Sequence, residues 1–292
     1  MDKLTLKAMA KINLGLDVIR RREDGYHEVR MIMQTVNLYD ELTFERTREE
    51  GLCLSANLRM LPTDKNNLII RAASILQEEF GIKGGMRIRL KKEIPVAAGM
   101  AGGSTDAAAT LVAVNELFGL GLSVEELEKR AVKIGADVPY CIQGGTALSE
   151  GIGEILTPLP SAPACAVVVA KPPVHVSTRF VYQNLHLEQV KDHPDIDGMI
   201  ESIRDGKLEG VAGRLANVLE TVTIPAHPVI GQIKAFLLER GALGALMSGS
   251  GPTVFALYAQ RSEASKAYEE LKRAGLAKQI YLTSFTDHTC IR

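Results

Sequence analysis

Glycines 99, 102 and 103 lie in the run Ile94-Pro95-Val96-Ala97-Ala98-Gly99-Met100-Ala101-Gly102-Gly103-Ser104-Thr105-Asp106, the segment of this 292-residue chain best suited to holding an anion. Glycine carries no Cβ, so the backbone there can approach a ligand closely and adopt left-handed angles. The alanine-rich stretch 106–120 reads as a helix beginning at the loop, with Ala107, Leu111, Val114 and Phe118 on one face. A glycine loop feeding a helix N-terminus aims unpaired N–H groups and the positive end of a dipole at one spot, a natural seat for phosphate. No Gly-Lys-Ser/Thr follows, so this is not a Walker A loop. The glycine spacing is not that of a dinucleotide fold, and no ribose-binding acid is evident downstream. A small-residue turn that lets a helix pack on a strand has the same composition, so the residues alone leave both readings open.

Helices and strands alternate irregularly around this loop. Residues 4–18 predict one or two strands, and 28–38, 41–47 and 51–56 predict more, separated by short polar turns. The stretch 66–80 has helical periodicity and stops at Gly81. In 85–94, Met86, Ile88 and Leu90 alternate with Arg87, Arg89 and Lys91, a strand leading straight into the loop. Ser123 and Glu126 have the spacing of a capping box for a helix over 123–134. Three prolines in 156–163 mark the expected boundary between two domains, 1–160 and 161–292. Beyond it come a buried strand (164–170), helices at 177–187, 198–203, 208–219 and 227–240, strands at 242–247 and 253–258, a helix at 262–274 and a strand at 279–283. The run 186–206 matches no pattern and reads as a mobile excursion. The order implies an α+β chain with two packed layers per half.

Composition narrows the class. Hydrophobic residues make up 46%, charged residues 24%, and the formal net charge is −1, as expected of a globular protein with a substantial core. Near-neutrality argues against a nucleic-acid backbone as partner. Cys53, Cys141, Cys165 and Cys290 are far apart with no Cys-x-x-Cys pair, which suggests reduced thiols and neither a disulfide framework nor a structural zinc site. The first twenty residues carry Lys3, Lys7 and Lys11 without a continuous apolar core, and no apolar run is long enough to span a bilayer. A cytoplasmic protein without membrane contact is the expectation.

The glycine loop closely resembles the phosphate-binding motif of the GHMP kinase superfamily. Ala10-Lys11-Ile12-Asn13-Leu14-Gly15-Leu16 and Ser248-Gly249-Ser250-Gly251-Pro252-Thr253-Val254-Phe255 are similar to its two other motifs, in the expected order across nearly the whole chain. Asp24-Gly25-Tyr26-His27-Glu28 and Gly135-Ala136-Asp137-Val138-Pro139 further resemble one branch of the superfamily. Its members phosphorylate a cytidine diphosphate-linked methylerythritol in isoprenoid precursor biosynthesis. The resemblance implies a ribosomal-S5-domain-2-like N-terminal half, a ferredoxin-like C-terminal half, ATP and Mg²⁺ as cofactors, and a small-molecule alcohol as substrate.

Site residues follow from the same resemblance. An alcohol is a poor nucleophile at neutral pH, so a positioned base helps, as does positive charge around the migrating phosphoryl group. Asp137 matches the family's catalytic aspartate, and Lys11 its electrostatic partner. On local sequence Asp137 equally suits an N-cap before a helix at Val138-Pro139, and Lys11 a solvated strand lysine. The loop 95–105, with Ser104 and Thr105 in particular, is expected to hold the β- and γ-phosphates, with Ser104 near Mg²⁺ and no dedicated protein metal site. Met100 and Thr105 stand where leucine and serine are frequent in the family. Gly249, Ser250 and Gly251 supply a second small-residue turn at the phosphates, with Asn66 and Asn115 as further nucleotide candidates; Asn66 alternatively caps the helix after it. Asn13, Tyr26, His27, Thr178 and Tyr182 are expected at the alcohol substrate, where an aromatic stack and a bonded edge suit cytosine. Two alternatives stand beside this: another alcohol kinase of the superfamily, mevalonate- or homoserine-type, and a non-catalytic binding protein on the same fold.

Overall fold

A long two-stranded ribbon organises the first half of the protein, described over residues 2–288 in a computed structural model. Strands β1 (Lys3–Arg21) and β2 (His27–Thr47) run antiparallel, joined by a turn in which Gly25 takes φ +86° and Asp24 Oδ1 accepts the Tyr26 amide. The sequence pattern breaks β2 near residue 38 because the pairing does: Met9 faces Tyr39 but Ala10 faces Val36, so β2 carries extra residues there. Such bulges bend the ribbon and re-aim side chains. β3 (Gly51–Ala56) and β4 (Gly85–Lys91) extend the sheet on one side. Between them α1 (Leu68–Phe80) is capped by Asn67, not Asn66: Asn67 Oδ1 accepts the Ile69 amide at 2.9 Å.

Helix α2 (Gly102–Phe118) starts four residues before the sequence pattern places it, so Gly102, Gly103, Ser104 and Thr105 form its first turn. It is buried on nearly every side from Thr105 to Val114, packing on β1, α1 and the later α4. Its many alanines let neighbours approach from all directions, which is why a single apolar face, with Phe118 on it, describes it poorly. α3 (Val124–Ala131) has the expected capping box of Ser123 and Glu126. α4 (Val138–Gln143) leads to β5 (Thr146–Glu150) and β6 (Ile155–Pro158), two strands absent from the sequence-based expectation; β5 pairs with β2 and β6 with β5.

The second half holds a four-stranded antiparallel sheet. β7 (Ala166–Lys171) is followed by α5 (Thr178–Gln183), α6 (Ile196–Arg204) and α7 (Leu208–Ala212). The helix expected over 208–219 stops at Gly213, and Ala216–Asn217 (β8) instead pairs in parallel with Gly15 and Leu16 of β1. α8 (Glu220–Ala226), α9 (Val229–Leu238), β9 (Gly244–Met247), β10 (Val254–Tyr258), α10 (Arg261–Ala274) and β11 (Gln279–Ser284) complete it. Strand order β11-β7-β10-β9 with helices on one face is the ferredoxin-like arrangement. β7 turns Val167 and Val169 toward Ile12 and Ile32 of the first sheet, and Val168 toward Ile233 and Leu271 of α9 and α10. The fold is therefore α+β, with the two sheets sharing an apolar layer into which α6 and α7 also pack. Among the described residues no helix is long and apolar enough to cross a membrane.

Residues 186–206 are not the loose excursion their sequence suggests. Asp195 caps α6 through the Gly198 amide, His193 Nδ1 meets both oxygens of Asp17, and Arg30 grips Asp197 with two hydrogen bonds. Cys290 lies outside the described residues.

Candidate active site

Lys11 and Asn13 sit two apart on β1 and so share a face of the ribbon. Lys11 is 4% exposed; its Nζ donates to Asn13 Oδ1 at 2.8 Å and stands 3.7 Å from Asp137 Oδ2. Because the ammonium is a donor only, Asn13 must present its oxygen there. Its Nδ2 then faces the weak acceptor Met31 Sδ at 3.1 Å, which leaves the amide hydrogens with capacity for a better partner. Asp137 occupies the N-cap position of α4, yet its side chain makes no capping hydrogen bond. The carboxylate turns to Lys11 instead, so a local capping role does not account for it.

The glycine loop closes over this pair. The Lys11 amide donates to Met100 O at 3.2 Å, joining strand and loop. Ala97 and Ala101 take φ +50° and +55°, a left-handed conformation costly for alanine and typical of functional loops. At Gly99 (φ +73°) a Cβ would fall 2.1 Å from Ser248 O, and Ser248 Oγ donates to Gly99 O at 2.9 Å. The loop and the motif 248–255 are thus in backbone contact. Asn217, which sequence reading missed, holds that motif in place: its buried Nδ2 donates to Met247 O and Gly249 O, both at 2.8 Å, and its Oδ1 accepts the Leu219 amide. A single asparagine inside an expected helix gave no signal for this.

Between these walls lies a cleft of about 1230 Å³. Both expected catalytic residues and all five expected substrate residues, Asn13, Tyr26, His27, Thr178 and Tyr182, line it. His27 and Tyr182 approach with ring centroids 5.0 Å apart at 34°, and Tyr26 is 61% exposed beside them. Burial lowers the pKa of His27, helped by the nearby Arg21 charge, which favours the neutral ring. Burial, together with the negative charge of Asp137, pushes the Tyr182 phenol up to about 12. Thr178 and Ser250 share a hydroxyl hydrogen bond of 2.8 Å, linking α5 to the motif 248–255. Arg21, Arg179 and Gln183 also line the cleft, and no sequence motif singled them out.

Of the residues expected at the phosphates, Ala97, Ala98, Gly99, Ala101, Gly102, Gly103 and Ser104 line the cleft, with Gly249 and Ser250 opposite, while Pro95, Val96, Met100 and Thr105 do not. Met100 and Thr105 are buried, and the Thr105 amide is committed to Ala101 O at 2.8 Å. Pro95 and Val96 lie off the cleft, Val96 being exposed elsewhere. Gly251 folds back so that its amide meets Ser248 O. Asn66 bonds Asp64, and Asn115, at the far end of α2, closes a turn through Leu122; neither lines the cleft. Among the described residues no cluster of three or more His, Cys, Asp or Glu could hold a metal ion.

A family model described as the GHMP kinases N terminal domain matches residues 67–145, and one described as GHMP kinases C terminal matches 199–277. The 4-diphosphocytidyl-2-C-methyl-D-erythritol kinase of Lachnoclostridium phytofermentans is 55% identical over 285 residues, covering 98% of each chain. A crystal structure of a 4-(cytidine 5'-diphospho)-2C-methyl-D-erythritol kinase superposes with TM-score 0.84 at 33% identity, covering 98% of this chain and 100% of that one. Homoserine kinase from Cytophaga hutchinsonii shares the fold at TM-score 0.79 and 22% identity, covering 99% and 96%. Relatives of this identity and coverage, together with the cleft they share a fold with, place the chain in the 4-diphosphocytidyl-2-C-methyl-D-erythritol kinase family of the GHMP kinases.

Proposed function

We propose that the protein transfers the γ-phosphoryl group of ATP to the 2-hydroxyl of 4-diphosphocytidyl-2-C-methyl-D-erythritol, with Asp137 as base and Lys11 as its electrostatic partner. The observation that carries this is the Lys11–Asp137 pair, 3.7 Å apart between the glycine loop and the His27–Tyr182 pair. Asp137 takes the hydroxyl proton as the oxygen attacks the γ-phosphorus, and the bond from that phosphorus to the β,γ-bridging oxygen breaks to release ADP. The Lys11 ammonium stands beside that carboxylate and attracts the negative oxygens during transfer. Amides of the loop and of the first turn of α2 receive the phosphates, whose bridging oxygens stay fixed while the terminal group moves.

Cytosine fits the other end. A neutral His27 carries one N–H and one lone pair, which suits an edge that both donates and accepts. Tyr182 remains a phenol throughout the physiological range and supplies a flat face. Asn13, its oxygen committed to Lys11, directs its amide hydrogens to substrate oxygens.

ATP arrives as its Mg²⁺ complex, the metal carried on the phosphates. Magnesium commonly keeps several waters and phosphate ligands, so a site without an acidic cluster suits it. The Ser104 hydroxyl, on the first turn of α2 at the cleft wall, is the protein group we assign beside it. We assign nucleotide binding to a domain of residues 1–160, with 161–292 as the second domain lending Gly249 and Ser250.

Phosphorus NMR of the protein with Mg-ATP and 4-diphosphocytidyl-2-C-methyl-D-erythritol tests the reading. A phosphomonoester signal that needs both substrates is expected. ATP binding with no such signal would redirect the search to mevalonate, homoserine and related alcohols.

A further inference from the structure

Beneath the glycine loop lies a group of buried charges that the chemistry above does not use. Lys92, just past the end of β4, places its Nζ 2.5 Å from Asp40 Oδ2, 2.7 Å from Asp106 Oδ2 and 2.9 Å from Gly102 O. All three side chains are nine-tenths buried or more. Asp40 turns its other oxygen to the amides of Glu93 at 2.6 Å and Ile94 at 2.9 Å, where the chain enters the loop. Gly102 and Asp106 belong to the first turn of α2, where the chain leaves it. Asn57 brackets the backbone of Lys92 itself, accepting its amide at 2.8 Å and donating to its carbonyl at 3.1 Å. Both stems of the loop are therefore tied to one point on β2.

Position 102 shows how tightly this is built. A Cβ there would stand 2.9 Å from Lys92 Nζ and 3.1 Å from Ile94 Cγ2. A side chain at 102 would therefore displace the ammonium from the first turn of α2 or crowd Ile94.

We propose that Lys92 is a positioning residue for nucleotide binding: anchored by Asp40, it locks the strand entering the loop to the helix leaving it and fixes the amides that meet the phosphates. The proposal rests on the reading of that loop as the phosphate site. Lys92 does not line the cleft, so it acts through Gly102 and not by touching ATP.

The charges are arranged so as not to oppose the ligand. Asp106 Oδ1 is buried with no partner among the described residues, and burial raises its carboxyl well above the usual range, with Asp40 alongside adding to the shift. That shift favours the uncharged acid and so lessens the negative charge under the triphosphate.

Removing Lys92 alone would strand the Asp40 carboxylate, so the decisive variant removes both charges together. In Lys92→Met/Asp40→Asn the amide oxygen still accepts from Glu93 and Ile94, while the tie to Gly102 is lost. Calorimetry with the non-hydrolysable β,γ-imido analogue of ATP, and separately with CDP, reads the two ends of the cleft. Expected are about tenfold weaker binding of the ATP analogue, a matching rise in KM for ATP, kcat within about threefold and unchanged CDP affinity. Unchanged affinity for the ATP analogue overturns the proposal. So does equal loss of both ligands, or failure of the double variant to fold, since the charges would then serve the fold and not the loop. If the wild-type protein binds no ATP analogue, the phosphate reading itself falls.

Discussion

Lys11 Nζ reaches Asn13 Oδ1 at 2.8 Å and Asp137 Oδ2 at 3.7 Å, so a single buried ammonium holds the proposed base and the Asn13 amide in register. Asp137, one-third exposed, keeps a face open to the cleft, as a group that must accept a proton from a ligand requires. In Asp137→Asn the shape persists but the proton acceptor is gone. General-base contributions are on the order of 10²–10⁴-fold, and kcat should fall by about that factor. ATP affinity should stay within about threefold, because the proposed phosphate site is the glycine loop and not this carboxylate. Steady-state kinetics beside calorimetry decide it, and wild-type turnover in the variant would remove Asp137 from the mechanism.

Gly99 and Gly103 should separate space from flexibility. At Gly99 an added Cβ meets the Ser248 carbonyl at 2.1 Å and the residue has φ +73°, so Gly99→Ala should destabilise by at least about 2 kcal/mol and abolish nucleotide binding. At Gly103, in the first turn of α2, the nearest atom is Leu68 Cδ1 at 3.6 Å, so Gly103→Ala should leave stability equal or raised by up to about 1 kcal/mol. Urea denaturation of both variants gives the comparison. Equal stability losses would mean that the contact with Ser248 is not what position 99 requires.

Asn217 makes three hydrogen bonds while buried, two of them to carbonyls of the turn that carries Gly249 and Ser250. Asn217→Ala leaves those groups unpaired. A loss of about 2–3 kcal/mol in stability should accompany weaker ATP binding. A variant with normal ATP affinity would show that the turn holds its shape without this side chain.

His27 should titrate below the ordinary histidine range when the protein is followed by NMR between pH 5 and 8. The sign follows from burial: the folded state resists the proton that the unfolded chain accepts. Above the unfolded value of about 6.5 both states are neutral and nothing is lost. As pH falls from there toward the lower folded value, the unfolded chain binds more protons and stability declines. Cytidine nucleotide affinity should decline at lower pH still, as the folded ring titrates through its own lowered value and loses its lone pair. A folded value at or above that of a free histidine contradicts the proposed cytosine contact.

What the sequence made readable was local in the chain or carried by a motif. The capping box at Ser123 and Glu126, the glycines, and the alternation of Met86, Ile88 and Leu90 all act over a few residues, and each appears in the fold. The pairing of Lys11 with Asp137 spans the first half of the chain, and only family resemblance put it within reach. Where sequence reading failed, the deciding contact was distant and unmarked. Lys92 and Asp40 are 52 positions apart, and a lysine beside a run of charges looks like surface. Residues 208–219 have helical character, yet the pairing of Ala216 with Gly15 overrides it. Thr105 looked like a phosphate ligand because it neighbours Ser104, but a helix turns successive residues about 100° apart, and that rotation sends it into the core.

The parallel pairing of Ala216 and Asn217 with Gly15 and Leu16 also constrains how the molecule assembles. The strand bearing Lys11 is made some two hundred residues before its final neighbour. The bridge between Val36 and Phe285 joins positions farther apart still along the chain. During synthesis the ribbon must therefore persist with one edge unsatisfied until the second half emerges, exposed to mispairing with other nascent chains. Chaperone dependence and a slow closing phase in refolding are the expected signatures of that wait, since long-range pairing is what slows folding. A ligand that bridges both halves would bind only once that wait is over.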